Sequence, residues 1–235
     1  MTIEILFSEV AGLYGDAQNA KYLEQCMPEA EFIYTPFTEE PYFVNNTPDM
    51  IYIGSMSEQM QRQVIEKFRP YKKRIEELID NNCIILATGN SGEIFCKKIH
   101  FLTEKIETEG LSLFPLEAKT DLFDRYNRKL LGEFEGIKIV GFRAQFSFIY
   151  GDNSDNYFVK VERGDGINKE SRLEGMRKNN LICTSVLGPI LLLNPLFTEY
   201  LMKKLGYEGE IAFKEEAMSA YEKRLAEFTD PKVKF

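Results

Sequence analysis

The stretch Cys83-Ile84-Ile85-Leu86-Ala87-Thr88-Gly89-Asn90-Ser91-Gly92 constrains this chain most. Five apolar residues in a row, with no polar alternation, describe a strand buried on both faces, as in a parallel sheet. Small residues follow at once, and a helix is expected to open after them. In α/β enzymes such a strand–turn–helix junction is a nucleophile elbow, which pushes one side chain out at the top of the sheet. Thr88 is the residue expected at the tip, with unusual backbone angles. A hydroxyl without an adjacent base is a weak nucleophile, so scaffold and tip residue are in conflict.

Strand and helix alternate around this junction. Strands are expected at 3–8, 31–35, 50–54, 83–87 and 182–186, with helices at 19–27, 67–79, 195–204 and 215–228. Such alternation gives a mostly parallel sheet with helices on both faces. Ligands in these sheets sit at the carboxyl ends of the strands, so the loops after Ser8, Gly54, Ala87 and Ser185 are the ones to watch. From about residue 110 the pattern changes to short strands at 110–114, 129–134, 136–142, 146–150 and 157–161, with turn signals at 151–156 and 163–166. These form an antiparallel extension. Phe142, Phe146, Phe148 and Tyr150 alternate there as core residues do; with Phe134, an exposed patch for a partner is the alternative.

The chain has 235 residues and no obvious linker, which suits one domain over 1–235. A net charge of −8 argues against binding a nucleic-acid backbone. No apolar run approaches the roughly 20 residues of a membrane span, and the N-terminus carries no secretory pattern. The four cysteines, Cys26, Cys83, Cys96 and Cys183, form no CxxC pair. They read as free thiols of a reducing, cytoplasmic compartment, with no metal site. No cofactor is implied. The chain has one histidine, His100, although Ser and Cys hydrolases need a histidine base.

Four ordered motifs carry a family resemblance over about residues 1–205: Leu13-Tyr14-Gly15-Asp16 with Asn19; Asp49-Met50-Ile51-Tyr52-Ile53-Gly54 with Ser57, Glu58 and Gln61; Val140-Gly141-Phe142; and Leu187-Gly188-Pro189-Ile190-Leu191 with Asn194-Pro195. The chain resembles the class I glutamine amidotransferase-like family of the cobyric acid synthase type, which includes glutaminase subunits. The resemblance implies a three-layer α/β/α sandwich with a flavodoxin-like core, and a ligase or synthase subunit as partner. It also implies a cysteine at the elbow that attacks glutamine and a histidine just before Gly188. Counted without gaps, those positions are Thr88 and Leu187, so the catalytic pair is replaced. The middle motif, which carries a histidine-containing segment in the family, reads Arg143-Ala144-Gln145 here.

The ligand-binding candidates are Tyr14, Asp16, Gly54, Ser55, Ser57, Gly89, Asn90, Ser91 and Gln145. Two functions follow from these residues. One is a non-hydrolytic protein that binds a small ligand or a partner through the old active-site edge. The other is an amidotransferase or hydrolase with a different nucleophile: Ser91, Thr88 or Cys96. Each has a plainer role: strand end for Thr88, helix cap for Asn90 or Ser91, near-core helix residue for Cys96. Cys83 would be a nucleophile only in another register, and the missing histidine argues against that in any register. Glu93 falls roughly where the family has a glutamine, across an apparent one-residue insertion; its plainer role is a favourable charge in a first helical turn. His100 is placed on the helix after the elbow, far from the turn. Asp16 and Glu58 are loop carboxylates that could hold a ligand or a metal, although loops at strand ends carry acidic residues routinely.

Overall fold

The computed structural model describes residues 1–235. Its centre is a six-stranded sheet built from β1 (Thr2–Leu6), β2 (Glu31–Thr35), β3 (Met50–Ile53), β4 (Ile84–Thr88), β13 (Met176–Lys178) and β14 (Leu181–Thr184), in the order β13-β14-β4-β3-β1-β2. All neighbours are parallel except β13, which pairs antiparallel with β14. The buried strands send alternate residues to opposite faces. Ile85 and Ala87 of β4 join one core with Val64, Ile65 and Phe68 of α2 (Glu58–Phe68) and Ile75, Leu78 and Ile79 of α3 (Lys72–Asp80). Ile84 and Leu86 join the other, with Leu23 and Cys26 of α1 (Ala17–Cys26). The same core takes in Ile190 of α4 (Ile190–Leu193) and Phe197 and Leu201 of α5 (Pro195–Lys204). Helices therefore cover both faces, as the uninterrupted apolar runs require.

The second half differs in detail from expectation. A 3-10 segment at Gly89–Phe95, not an α-helix, follows β4, and the chain then enters β5 (Cys96–Phe101). His100 is thus a strand residue, its ring nitrogens 3.0 Å from Glu107 and 3.1 Å from Glu117. The extension consists of two four-stranded sheets. The first has the order β10-β7-β5-β6, with β6 (Ile106–Glu109), β7 (Phe114–Thr120) and β10 (Ser147–Tyr150). Its β5–β7 pair is parallel, and β7 starts at Phe114, where the strand expected at 110–114 would end. The second has the order β12-β11-β8-β9, with β8 (Tyr126–Phe134), β9 (Ile137–Gln145), β11 (Val159–Arg163) and β12 (Leu173–Glu174). Phe134 and Phe148 are buried and Tyr150 is exposed. α6 (Lys214–Thr229) packs Tyr221 and Phe228 against this sheet.

One buried amide joins the two halves. Asn194, ahead of α5, accepts from Val140 N (2.8 Å) and donates to Val140 O (2.9 Å) and Ile190 O (2.8 Å). Without it, backbone groups of β9 are left dry and unpaired, at about 1–3 kcal/mol each. Asn194→Ala is expected to lose about 2–4 kcal/mol of unfolding free energy in urea titration; a loss within about 0.5 kcal/mol, as for an ordinary surface substitution, would show that this junction is not a structural anchor.

Candidate functional site

The turn after β4 lies one residue later than expected. Thr88 has extended strand angles (φ −109°, ψ 149°) and pairs with Thr184 as part of the sheet. Gly89 takes the left-handed conformation (φ 64°), which a residue without a Cβ adopts at little cost. Gly89 is therefore the tip. The surroundings leave no room for a side chain at the tip: a Cβ on Gly89 would lie 2.5 Å from Ser55 Cβ and 3.6 Å from Leu187 Cδ2. Leu187 thus faces the turn, held by backbone bonds to Phe142 in both directions.

Thr88 turns inward instead. Its hydroxyl donates to Asp16 Oδ2 (2.8 Å) and lies 3.1 Å from the Tyr52 hydroxyl. Asp16 also accepts from Ser55 N (2.9 Å), while Tyr52 donates to Asp16 O and accepts from Asn19 Nδ2 (both 2.9 Å). Burial holds the Asp16 carboxyl above its usual range, against the pull of these hydrogen bonds. Asp16, expected at a ligand, is fully buried and knits the loops together. Ser91 shares its hydroxyl proton between Thr88 O (2.7 Å) and Ile53 O (3.0 Å). Cys96 is buried beside Met176, and burial raises its thiol well above the ordinary value. None of these three potential nucleophiles lines a cleft. Ser57 caps α2 through Met60 N. A Cβ at Gly54 would come to 2.4 Å from Ala11 O, so this glycine serves backbone packing.

A cleft of two lobes opens at the tip. The outer lobe is small and includes Tyr14, Ser55, Glu58, Asn90, Phe146 and Leu187. The inner includes Arg143, Glu174, Thr184 and Cys183. Gly89, Glu93, Gln145, Ser147 and Ser185 line both. Of the expected ligand-binding residues, Tyr14, Ser55, Gly89, Asn90 and Gln145 meet here; Asp16, Gly54, Ser57 and Ser91 do not. Tyr14 stands at the mouth in a left-handed conformation (φ 57°, ψ 22°). Asn90 clamps the backbone of Met56, accepting from its N–H (3.0 Å) and donating to its C=O (2.8 Å).

The inner groups come from elements far apart in sequence. Arg143 is 1% exposed, and its guanidinium donates to the carbonyls of Asp165 and Gly166 and to Gln145 Oε1 (3.2 Å). Glu174 accepts from Thr184 Oγ1 (2.9 Å), Ser185 N (2.7 Å) and Ser185 Oγ (2.9 Å). Burial raises the Glu174 carboxyl, and nearby Arg143 opposes that shift. Glu93 accepts from Ser147 Oγ and from Gln61 Nε2 (2.9 Å). Arg143 was visible in the middle motif and Glu93 beside the elbow. Ser147 and Glu174 carry no sequence signal and become site residues through tertiary packing alone.

No family model matches the chain. Over 215 residues it is 27% identical to the lipid II isoglutaminyl synthase (glutamine-hydrolyzing) subunit GatD of Staphylococcus aureus (strain N315), covering 87% of this chain and 84% of that protein. It superposes on PurLQS from Thermotoga maritima with a TM-score of 0.55 at 11% identity, covering 95% of this chain and 98% of that one. A crystal structure of a glutamine amidotransferase gives a TM-score of 0.56, also at 11% identity, over 87% and 98% of the two chains. This is the glutamine amidotransferase fold. Within it, the cleft occupies the carboxyl edge of the parallel sheet, as open α/β sheets generally arrange. The chain has no helix long and apolar enough to cross a membrane.

Burial pushes Glu93 up to about 7, against the hydrogen bonds from Ser147 and Gln61. Its folded value lies above its unfolded one, so between about pH 4.5 and 7 the unfolded chain gives up this proton first and stability falls as pH rises. The shift corresponds to about 3 kcal/mol above pH 7. Glu93→Gln is expected to match the parent protein near pH 4 and to exceed its stability by about that amount at pH 8. Chemical denaturation across this range checks it; a parallel pair of curves would mean that Glu93 ionises freely.

Proposed function

We propose that this is a glutamine amidotransferase-like protein of the cobyric acid synthase type that has lost the cysteine–histidine pair. It acts as one domain that binds a small ligand at the elbow cleft and serves a partner of the ligase or synthase kind. The observation that carries this reading is Gly89. The tip of the turn has no side chain, and Ser55 occupies the space that one would need. Leu187 supports it: an apolar side chain, which can take no proton, stands 3.6 Å from where a Cβ at the tip would be. His100, the one histidine, is bound between two glutamates on β5 and does not line the cleft. The likeness to a synthase subunit supports the partner.

The purified protein is expected to release no ammonia from glutamine above the buffer rate; turnover would overturn the reading. The variants separate the two registers. Thr88→Cys with Leu187→His stays inactive, because position 88 points at Asp16 and away from the cleft. Gly89→Cys with Leu187→His requires Ser55→Gly as well, since the new Cβ would otherwise sit 2.5 Å from Ser55 Cβ. Gly89→Ala alone is expected to destabilise by about 1–3 kcal/mol, the range for a side chain forced into a sparsely populated backbone region. An unchanged melting temperature for Gly89→Ala would show that the tip tolerates a side chain and would remove the main support for the reading.

A further inference from the structure

Arg143 is the one basic residue that lines the cleft. It is 1% exposed, and an arginine is almost never sealed in this way without a paired counter-charge. The two carboxylates that act on its charge, Glu174 and Asp165, are engaged by other groups. Asp165 accepts from the Tyr126 hydroxyl and faces Arg172 (3.7 Å). Both oxygens of Glu174 are taken by Thr184 and Ser185. The guanidinium itself is held by neutral groups: Nε donates to Gln145 Oε1 (3.2 Å), and Nη1 donates to the carbonyls of Asp165 and Gly166. Nη2 has no partner. The side-chain polar atoms that are both sealed and unpartnered are Gln61 Oε1, Thr120 Oγ1 and Asn156 Oδ1. Nη2 is not among these, so it meets open space. The strand sets the direction. Successive residues of β9 face opposite sides, and Phe142 turns toward α6, its ring 5.8 Å from Phe228. Arg143 and Gln145 share the other side, and both line the inner lobe.

A charged nitrogen with two free protons on a cleft wall calls for an anionic acceptor. The neighbours narrow the choice. Ser147 and Ser185 spend their hydroxyl protons on Glu93 and Glu174, so Nη2 is the charged donor left in the inner lobe. One such donor suits a singly charged carboxylate; a phosphate, with its higher charge and three acceptor oxygens, gathers several. The two lobes share Gly89, Gln145 and Ser147, and the outer one adds apolar wall from Met56, Phe146 and Leu187. Glu58 stands there as well and repels a second carboxylate at the far end of a ligand. We propose that the elbow cleft binds an aliphatic monocarboxylate, its head group on Arg143 Nη2 in the inner lobe and its hydrocarbon chain against Met56, Phe146 and Leu187. The inference rests on the non-hydrolytic reading and names the ligand class for that site. Glu93 stands between the two lobes, and both its oxygens already accept hydrogen bonds, from Ser147 and Gln61.

Burial pushes Glu93 up to about 7, so binding is measured at pH 6, where that carboxyl is mostly protonated. The full-length protein is titrated calorimetrically at constant ionic strength with sodium butyrate, n-butanol, n-butylammonium chloride, sodium succinate and sodium phosphate. Saturable binding of butyrate is expected, with each of the other four at least about tenfold weaker. Arg143→Gln, shown to be folded by circular dichroism and a cooperative melt, should weaken butyrate about tenfold or more. A measurement on the parent protein stands apart from the fate of that variant: in side-chain nitrogen NMR, saturating butyrate should shift the Arg143 guanidinium signals and butanol should not. Absence of saturable butyrate binding, equal binding of any of the other four, unchanged affinity in folded Arg143→Gln, or unmoved Arg143 signals would each overturn the proposal. Ammonia release from glutamine by the same preparation would overturn the non-hydrolytic reading instead, whatever the butyrate titration gives.

Discussion

A buried carboxyl, Asp16, ties the carboxyl edge of the sheet together. It stands on the loop after β1, holds Ser55 N on the loop after β3, and takes the hydroxyl proton of Thr88 at the end of β4. Asn19, one turn further on, reaches Leu191 N after β14 (3.0 Å). Four strand ends are thereby set in place by a few short polar contacts among fully buried side chains. Desolvating a carboxyl is costly, and these hydrogen bonds offset that cost only as a set. The geometry around Gly89 follows from them: the distance from Ser55 to the tip, the place of Leu187, and the opening of the cleft between them.

The same bonds explain why the residues with the most suggestive chemistry are not at the cleft. Thr88, Ser91 and Asp16 are polar groups in a packed interior, and each satisfies another there. The cleft wall comes instead from β9 and β10, through Gln145 and Ser147, and from the strands and loops around Glu174 and Ser185. The antiparallel half is therefore part of the site. The 3-10 segment makes this possible, because it delivers the chain from the tip directly into β5.

Much of the architecture was legible, for identifiable reasons. β4 was readable because five consecutive apolar residues fit only a strand covered on both faces. Pro195 marked the first residue of α5, where its missing N–H costs nothing. The tip was misplaced because Thr88 is β-branched and extends the strand by one residue, while the glycine after it carries the turn. That glycine was the available signal: a left-handed position favours the residue without a Cβ. The helix expected after the elbow failed for another reason. Ile94, Phe95, Ile99 and Phe101 are too short an apolar series to separate a helical period from an alternating one. Glu93 read as a charge near a helix start, and its actual environment depends on Gln61 and Ser147, 32 and 54 residues away. No local pattern encodes that meeting.

The contact between Gly89 and Ser55 also bears on how such a chain can change over generations. A side chain at position 89 is strained while position 55 keeps its Cβ, since the two would come to 2.5 Å unless one of them shifts. A side chain at the tip is accommodated with less strain once residue 55 is shortened, a step that brings no chemistry of its own. The packing makes the two positions interdependent: what residue 89 can carry is set by what residue 55 carries.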